Sequence, residues 1–347
     1  LKCPSGHCFD RAKEGYWHLL PVQNTRTKAP GDSKEMVAAR RAFLSAGYYG
    51  IFGQALGELC LEYGIPAAQE APLRLLDAGC GEGWYDRCIA RQFAAAARPL
   101  ELAGFDIAKP AVRLAAKALP TARYAVASSF HQPVKTGWAD LLLNCFSPFA
   151  REEFLRVLRP GGRMIYVVPG AEHLYQMKAV LYAEPYKNPV QEVAYEGFRP
   201  IGEREARGTI TVPASQLEAL FAMTPYYWKT PRDGAARLAA LPELTTEIAF
   251  RFLVFEKLWQ NTGKAPRHWL GAFPLCEHGG GSRERRIYLF SPLVRSFARS
   301  RAGRRARYRM TTQTVEATLL TSVTPPAILD RACATVYSWP KMNTLRK

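Results

Sequence analysis

The stretch LLDAGCGEGWYD (75–86) sets a carboxylate, Asp77, two residues before three alternate glycines, Gly79, Gly81 and Gly83. Glycine tolerates positive φ and carries no side chain, so a ligand can lie against the backbone of such a turn and against the N-terminus of a following helix. The chemistry this pattern offers is that of a cradle. Its spacing is D-x-G-x-G-x-G, whereas nicotinamide and flavin sites favour G-x-G-x-x-G. A second carboxylate, Asp106 in GFDIAKPAVRLAAK (104–117), stands at the end of the next apolar run, where it can accept hydrogen bonds from two ribose hydroxyls.

Positioning these groups requires strands that end at the same edge. Between residues 72 and 169, β-rich apolar runs alternate with helical stretches: LRLLDAG (73–79), LELAGFDI (100–107), ARYAVAS (122–128), WADLLLNCF (138–146) and GGRMIYVVP (161–169). This alternation predicts parallel βαβ units and an α/β, doubly wound sheet covered on both faces. TEIAFRFLVFEK (246–257) reads as a later strand of that sheet, and the segment containing PASQLEALFAMTPYYW (213–228) as a helical insertion or cap near the site.

Hydrophobic content of 48% and aromatic content of 12% over 347 residues fit a globular chain. No run of about 18 apolar residues predicts a membrane span, and the first residues lack the charge and apolar pattern of a secretion signal, so a cytoplasmic protein is expected. The eight cysteines, at 3, 8, 60, 80, 88, 145, 276 and 333, follow no repeated spacing and suggest no disulfide framework. Charge is unevenly spread. Residues 257–347 hold 17 Lys and Arg against four acids, so most of the net +17 lies there. A tail with RSFARSRAGRRARYR (295–309) suits a phosphate backbone or a solvated basic segment.

The D-x-G-x-G-x-G turn resembles the first motif of the class I methyltransferases that use S-adenosylmethionine, and EEFLRVLRPGGRMIYVVP (152–169) is similar to a helix, Pro-Gly-Gly turn and strand common in that superfamily. A more specific resemblance is carried by FDRAKEGYWHLLPVQ (9–23), GDSKEMVAARRAFLSAGYYG (31–50), the glycine turn, VASSFHQPV (126–134), PGAEHLYQMKAVLY (169–182) and MTPYYW (223–228). In order and spacing these resemble the RlmA-type 23S rRNA (guanine-N1) methyltransferases. The resemblance implies a Rossmann-like class I domain over 21–257, a partial zinc ribbon over 1–20 and, without a counterpart in the family, a basic tail over 258–347.

It further implies S-adenosylmethionine as cofactor, held by Tyr49, Asp77, Gly79, Gly81, Glu82, Gly83, Asp106 and His173, and 23S rRNA as partner, with pairing into a homodimer known in the family. LKCPSGHCFD (1–10) matches the second half of a C-x2-C…C-x3-H ribbon, which makes Cys3 and His7 the third and fourth zinc ligands and implies truncation before residue 1. Two ligands alone hold zinc weakly.

Guanine N1 lies on the Watson–Crick edge, so the base must be unpaired or flipped out and stacked on aromatic rings. Phe146, Phe149, Tyr226, Tyr227 and Trp228 are candidates, with Asn144 expected to position the acceptor. RRAF (40–43) and TRTK (25–28) offer cations for phosphate contacts. Two other readings share the cofactor motif: a class I methyltransferase for a small molecule, and an RNA-binding protein that has lost catalysis.

Overall fold

A computed structural model describes residues 8–20, 30–190 and 194–258. Cys3, His7, TRTK and the tail beyond Leu258 lie outside the described residues. Eight strands form one sheet. They are β1 (Trp17–His18), β2 (Leu73–Ala78), β3 (Leu100–Asp106), β4 (Arg123–Val126), β5 (Ala139–Cys145), β6 (Leu158–Pro169), β7 (Phe198–Pro213) and β8 (Glu243–Lys257), in the spatial order β1-β4-β3-β2-β5-β6-β8-β7. Seven run in one direction, and β8 inserts antiparallel between β6 and β7.

The helices are α1 (Lys34–Ser45), α2 (Gly50–Tyr63), α3 (Trp84–Ala95), α4 (Lys109–Ala118), α5 (Arg151–Val157), α6 (Tyr175–Leu181), α7 (Ala214–Ala222) and α8 (Arg232–Ala239). The central strands read as unbroken apolar runs because both faces are covered; every residue of β5 is buried. Leu75, Leu141 and Leu143 pack on one face with Phe52, Phe93 and Phe250, while Leu76, Leu142 and Met164 pack on the other with Phe105 and Phe154. Order reverses on either side of β2, and the crevice outside the carboxyl ends of β2, β3 and β5 is where such sheets take ligands.

Every strand expected from the apolar runs is present. β7 was not expected: FRPIGEREARGTITVP carries Pro200, two glycines and alternating charges, and its pairing with β8 along nearly its whole length, past a register shift between Pro200 and Gly202, decides the outcome. Charge and proline on an edge strand also hinder pairing with other chains. The expected helical insertion is therefore α7, a 3-10 turn (Pro225–Trp228) and α8, set between two long antiparallel strands. Trp17–His18, within the span read as a partial ribbon, pairs with β4 and extends the sheet at its other edge. Among the described residues, no helix is long and apolar enough to cross a membrane.

Candidate cofactor and acceptor site

β2 delivers the chain into a turn whose three glycines all have positive φ, Gly79 at 101°, Gly81 at 54° and Gly83 at 76°. Their surroundings differ. A Cβ on Gly79 would stand 2.5 Å from the Ser147 Cβ, and one on Gly83 would stand 2.9 Å from the Ala115 Cβ, so both are glycine because the fold closes on them. A Cβ on Gly81 would meet nothing within 4 Å. Gly81 borders open space, as a ligand cradle requires.

The turn is fastened to β3. The backbone N–H groups of Gly79 and Cys80 donate to the Phe105 carbonyl at 2.9 and 3.0 Å, and Gly81 N–H donates to Asp106 Oδ2 at 3.1 Å. Ala108 N–H donates to Asp106 Oδ1 at 2.8 Å. Asp106 is thus oriented from both sides at the strand end, with lone pairs left for hydroxyl donors, and burial raises its pKa. Glu82 is buried beside Arg87, whose guanidinium lies 3.3 Å from its carboxylate; burial raises the Glu82 pKa.

Beneath the turn lies a carboxyl pair. Burial, and then the Asp86 charge, push the Asp77 carboxyl well above the usual carboxylate range. Burial pushes Asp86 up to about 6, although Tyr124 Oη donates to its Oδ2 at 2.8 Å. Both Asp77 oxygens are fully enclosed. Burial and the neighbouring Asp86 charge both favour the protonated form of Asp77, because charging two buried carboxyls in a low dielectric is costly.

The segment 31–50 closes over the same crevice. Gly31, at φ 84°, comes so near β3's exit that a Cβ there would lie 2.8 Å from Ile107 Cγ2 and 2.9 Å from the Ala108 Cβ. Asp32 pairs with Arg40, Ser33 caps α1 by accepting from Met36 N–H, and Arg40 Nη2 donates to the Met223 carbonyl before the 3-10 turn. Arg40, expected as a phosphate contact, is turned inward as a tie between α1 and the cap; Arg41 beside it is exposed.

Tyr49 begins α2 and His173 follows β6, 124 residues apart in sequence, and the structure joins them at 3.3 Å between Tyr49 Oη and His173 Nε2. His173 Nδ1 accepts from Ala249 N–H at 3.2 Å. That fixes the tautomer: the ring hydrogen sits on Nε2 and donates to Tyr49, whose own hydroxyl hydrogen has no acceptor among the described residues. Burial lowers the His173 pKa to about 3, so the ring stays neutral, and burial raises that of Tyr49. Ring contacts continue from Tyr49 to Phe250 at 4.8 Å, Phe250 to Phe52 at 4.8 Å and Phe52 to Tyr85 at 4.6 Å, which connects this pair to the helix that follows the glycine turn.

Two functional supports escaped the sequence reading. Lys178 is fully buried, donating to Asn188 Oδ1 at 2.7 Å and the Tyr186 carbonyl at 3.1 Å beneath the Tyr186 and Tyr226 rings. Asn188 in turn donates to the carbonyls of Gly170 and His173 at 2.8 and 3.3 Å. Together they fix the loop that carries His173. A lysine inside the mostly apolar repeat of YQMKAVL was the only signal.

On the acceptor side, Asn144 is fully buried and its Nδ2 donates to the Pro148 carbonyl at 3.1 Å. Phe146 follows it at the crevice with a φ of 56°. Phe149 is packed away, stacked on Tyr195 with centroids 3.9 Å apart, and Tyr226 covers Lys178. Tyr227 and Trp228 are exposed on the 3-10 turn. No cluster of three or more His, Cys, Asp or Glu able to hold a metal occurs among the described residues, and Cys8 is exposed.

Residues 1–28 match the family profile described as RlmA, N-terminal, a zinc ribbon, and residues 76–166 match the profile described as Methyltransferase domain. A protein of Micromonospora griseorubida, provisionally named a 23S rRNA (guanine-N(1)-)-methyltransferase, is 35% identical over 264 residues, 72% of this chain and 87% of that one. The 23S rRNA (guanine(748)-N(1))-methyltransferase of Streptomyces fradiae is 33% identical over 259 residues, 72% of this chain and 89% of that one. The chain belongs to the RlmA-type 23S rRNA (guanine-N1) methyltransferases. Among solved structures, the YcgJ protein of Bacillus subtilis is similar at 16% identity with a TM-score of 0.40, over 59% of this chain and 99% of that one.

The cofactor of this RlmA-type chain is S-adenosylmethionine. The residues present fit it: a glycine turn open at Gly81, an oriented Asp106 for hydroxyls, and a Tyr49 hydroxyl hydrogen without an acceptor among the described residues. The sheet is the class I methyltransferase one, with β8 as its antiparallel strand. The zinc ribbon of RlmA-type chains falls on residues 1–28, where the expected ligands Cys3 and His7 are outside the described residues.

Proposed function

We propose that this chain transfers a methyl group from S-adenosylmethionine to N1 of a guanine in a domain II hairpin of 23S rRNA. The observation that carries the reading is the closure of the family's own blocks over the cofactor motif: Gly31 lies against Ile107 and Ala108 beside Asp106, and Tyr49 is joined to His173 above the same crevice. A generic cofactor sheet has no need of either contact.

In this reading Asp106 receives the ribose hydroxyls, Gly79, Gly81 and Gly83 with Glu82 shape the bed for the amino-acid part, and the buried Asp77 lies at the strand end that leads into that bed. Tyr49 donates its free hydroxyl hydrogen into the cleft, and His173 holds it in place. The cofactor supplies an activated methyl on a sulfonium. The protein must bring the acceptor nitrogen in line at close range, where much of the rate gain of such a transfer arises, and the N1 proton must pass to a base or to water as the N–CH3 bond forms and S-adenosylhomocysteine leaves. Asn144 serves by shaping the turn that faces the acceptor.

The test is methyl transfer from labelled S-adenosylmethionine to unmodified 23S rRNA followed by primer extension, because N1-methylguanine stops reverse transcription. The Streptomyces fradiae relative is named for guanine 748, so the stop is expected there or at a neighbouring hairpin guanine. Cofactor binding without any stop overturns the rRNA reading in favour of a small-molecule acceptor.

A further inference from the structure

We infer that Phe146 is the platform on which the target guanine stacks while N1 is methylated. The inference deepens the rRNA reading and rests on it.

Along β5 the side chains alternate. Leu141, Leu143 and Cys145 pack on the face that holds Phe52 and Phe250, and Leu142 packs on the other. Continued alternation would send residue 146 to the Leu142 side. Its φ of 56° breaks the pattern and turns the ring to the first face, where it lies 5.7 Å from Phe52 and 6.1 Å from Phe250. A bulky residue in the left-handed region is strained, and such strain persists only where the surroundings hold it.

The surroundings do hold it. Phe146 N–H donates to the Val167 carbonyl at 3.3 Å, Asn144 bridges to the Pro148 carbonyl, and Ser147 Oγ donates to the Ala78 carbonyl at the exit of β2. The strain gains only partial packing. Phe52 and Phe250 are fully buried, whereas Phe146 remains 44% exposed. One face of the ring rests on buried aromatics and the rest is open at the carboxyl end of the sheet. Ser147 meanwhile presses on Gly79, so the ring stands one residue from the cofactor turn. A flat, open aromatic beside a methyl donor's bed is what an unstacked purine requires. The other candidates are spent on packing or stand beyond α7: Phe149 stacks on Tyr195, Tyr226 covers Lys178, and Tyr227 and Trp228 lie edge to face with each other.

The experiment uses the full chain and four substitutions: Phe146→Gly, Phe146→Ala, Phe146→Tyr and Phe146→Trp. S-adenosylhomocysteine binding is measured by calorimetry, melting by scanning, and methyl transfer on a hairpin RNA at saturating cofactor. Stacking on an aromatic ring predicts that Gly and Ala lower kcat/KM for RNA roughly 10- to 100-fold while Tyr and Trp stay within about threefold. Cofactor affinity is expected within about twofold of wild type in all four, and Phe146→Gly melts close to wild type, because glycine accepts this φ freely while the contacts with Phe52 and Phe250 are lost. Undiminished transfer by Phe146→Gly overturns the platform, as does loss of cofactor affinity in step with transfer. A wild-type chain that binds cofactor but methylates no RNA overturns the function itself, a pattern distinct from both.

Discussion

Two neighbouring strands of this sheet, β2 and β5, both end in left-handed turns, and the two turns are made from opposite materials. After β2 come Gly79, Gly81 and Gly83; after β5 comes Phe146. The first removes side chains so that something can approach the backbone. The second accepts strain so that a side chain can be put forward. They touch through Ser147, which fills the space that a Cβ on Gly79 would occupy. In the proposed reading a shared conformation therefore carries two different recognition tasks, one for the methyl donor and one for the acceptor.

The sharpest way to break this comparison is inside the glycine turn. Gly79→Ala forces a Cβ into Ser147 and disturbs both turns at once; a stability loss of about 2–4 kcal/mol is expected, read as a lower denaturant midpoint. Gly81→Ala has room, and its left-handed φ costs only about 1 kcal/mol of folding stability. Its methyl points into the space assigned to the ligand, so cofactor affinity is expected to fall about 100-fold with the melting temperature nearly intact. A Gly81→Ala protein that binds cofactor normally would place the ligand elsewhere.

Next in size is the carboxyl pair that supports the donor turn and has no counterpart under Phe146. Asp77 keeps a proton in the folded state that the unfolded chain releases above its ordinary pKa of 3.8. A carboxyl with a raised folded pKa makes stability fall as pH rises, at about 1.4 kcal/mol per unit for one proton. Asp77→Asn removes that dependence. The ligand-free variant is expected to gain on wild type as pH rises above the unfolded pKa, measured by urea unfolding at each pH. A constant gap would mean that Asp77 is ionised in the folded chain.

The contrast between the two turns also explains what the sequence made legible. The donor side was read almost entirely from LLDAGCGEGWYD and Asp106, because glycine spacing and a strand-end acid are local requirements. The six predicted strands were legible for the same reason, each being a buried apolar run. β7 was not, since FRPIGEREARGTITVP has the composition of a loop and owes its form to β8 alone. Tyr49 and His173 could be named only through family resemblance, and the bond between them across 124 residues was not anticipated, since no local pattern announces it. Lys178 and Asn188 have no periodic signature either. Phe146 stood among five aromatic candidates until a backbone angle, which no composition reveals, set it apart.

The smallest effect concerns how Tyr49 is aimed. Because His173 Nδ1 takes its hydrogen bond from Ala249, Nε2 must be the donor and the Tyr49 hydrogen is left to point into the cleft. Tyr49→Phe removes one hydrogen bond to the cofactor and keeps the ring contacts with Phe43 and Phe250, so a tenfold rise in cofactor Kd is expected, about 1.4 kcal/mol. His173 stays neutral down to a pKa of about 3, so this tenfold factor should be the same at pH 6 and pH 8. The folded chain instead incurs a cost elsewhere: a histidine with a depressed pKa takes up less proton than the unfolded chain below pH 6.5, and its contribution lowers stability as pH falls through that range. His173→Gln should remove that acid-side loss. If the Tyr49→Phe factor shrank towards pH 6, the ring would be titrating, and the hydrogen assigned to Tyr49 would belong to an imidazolium donating from both nitrogens, which the Ala249 N–H leaves no room for.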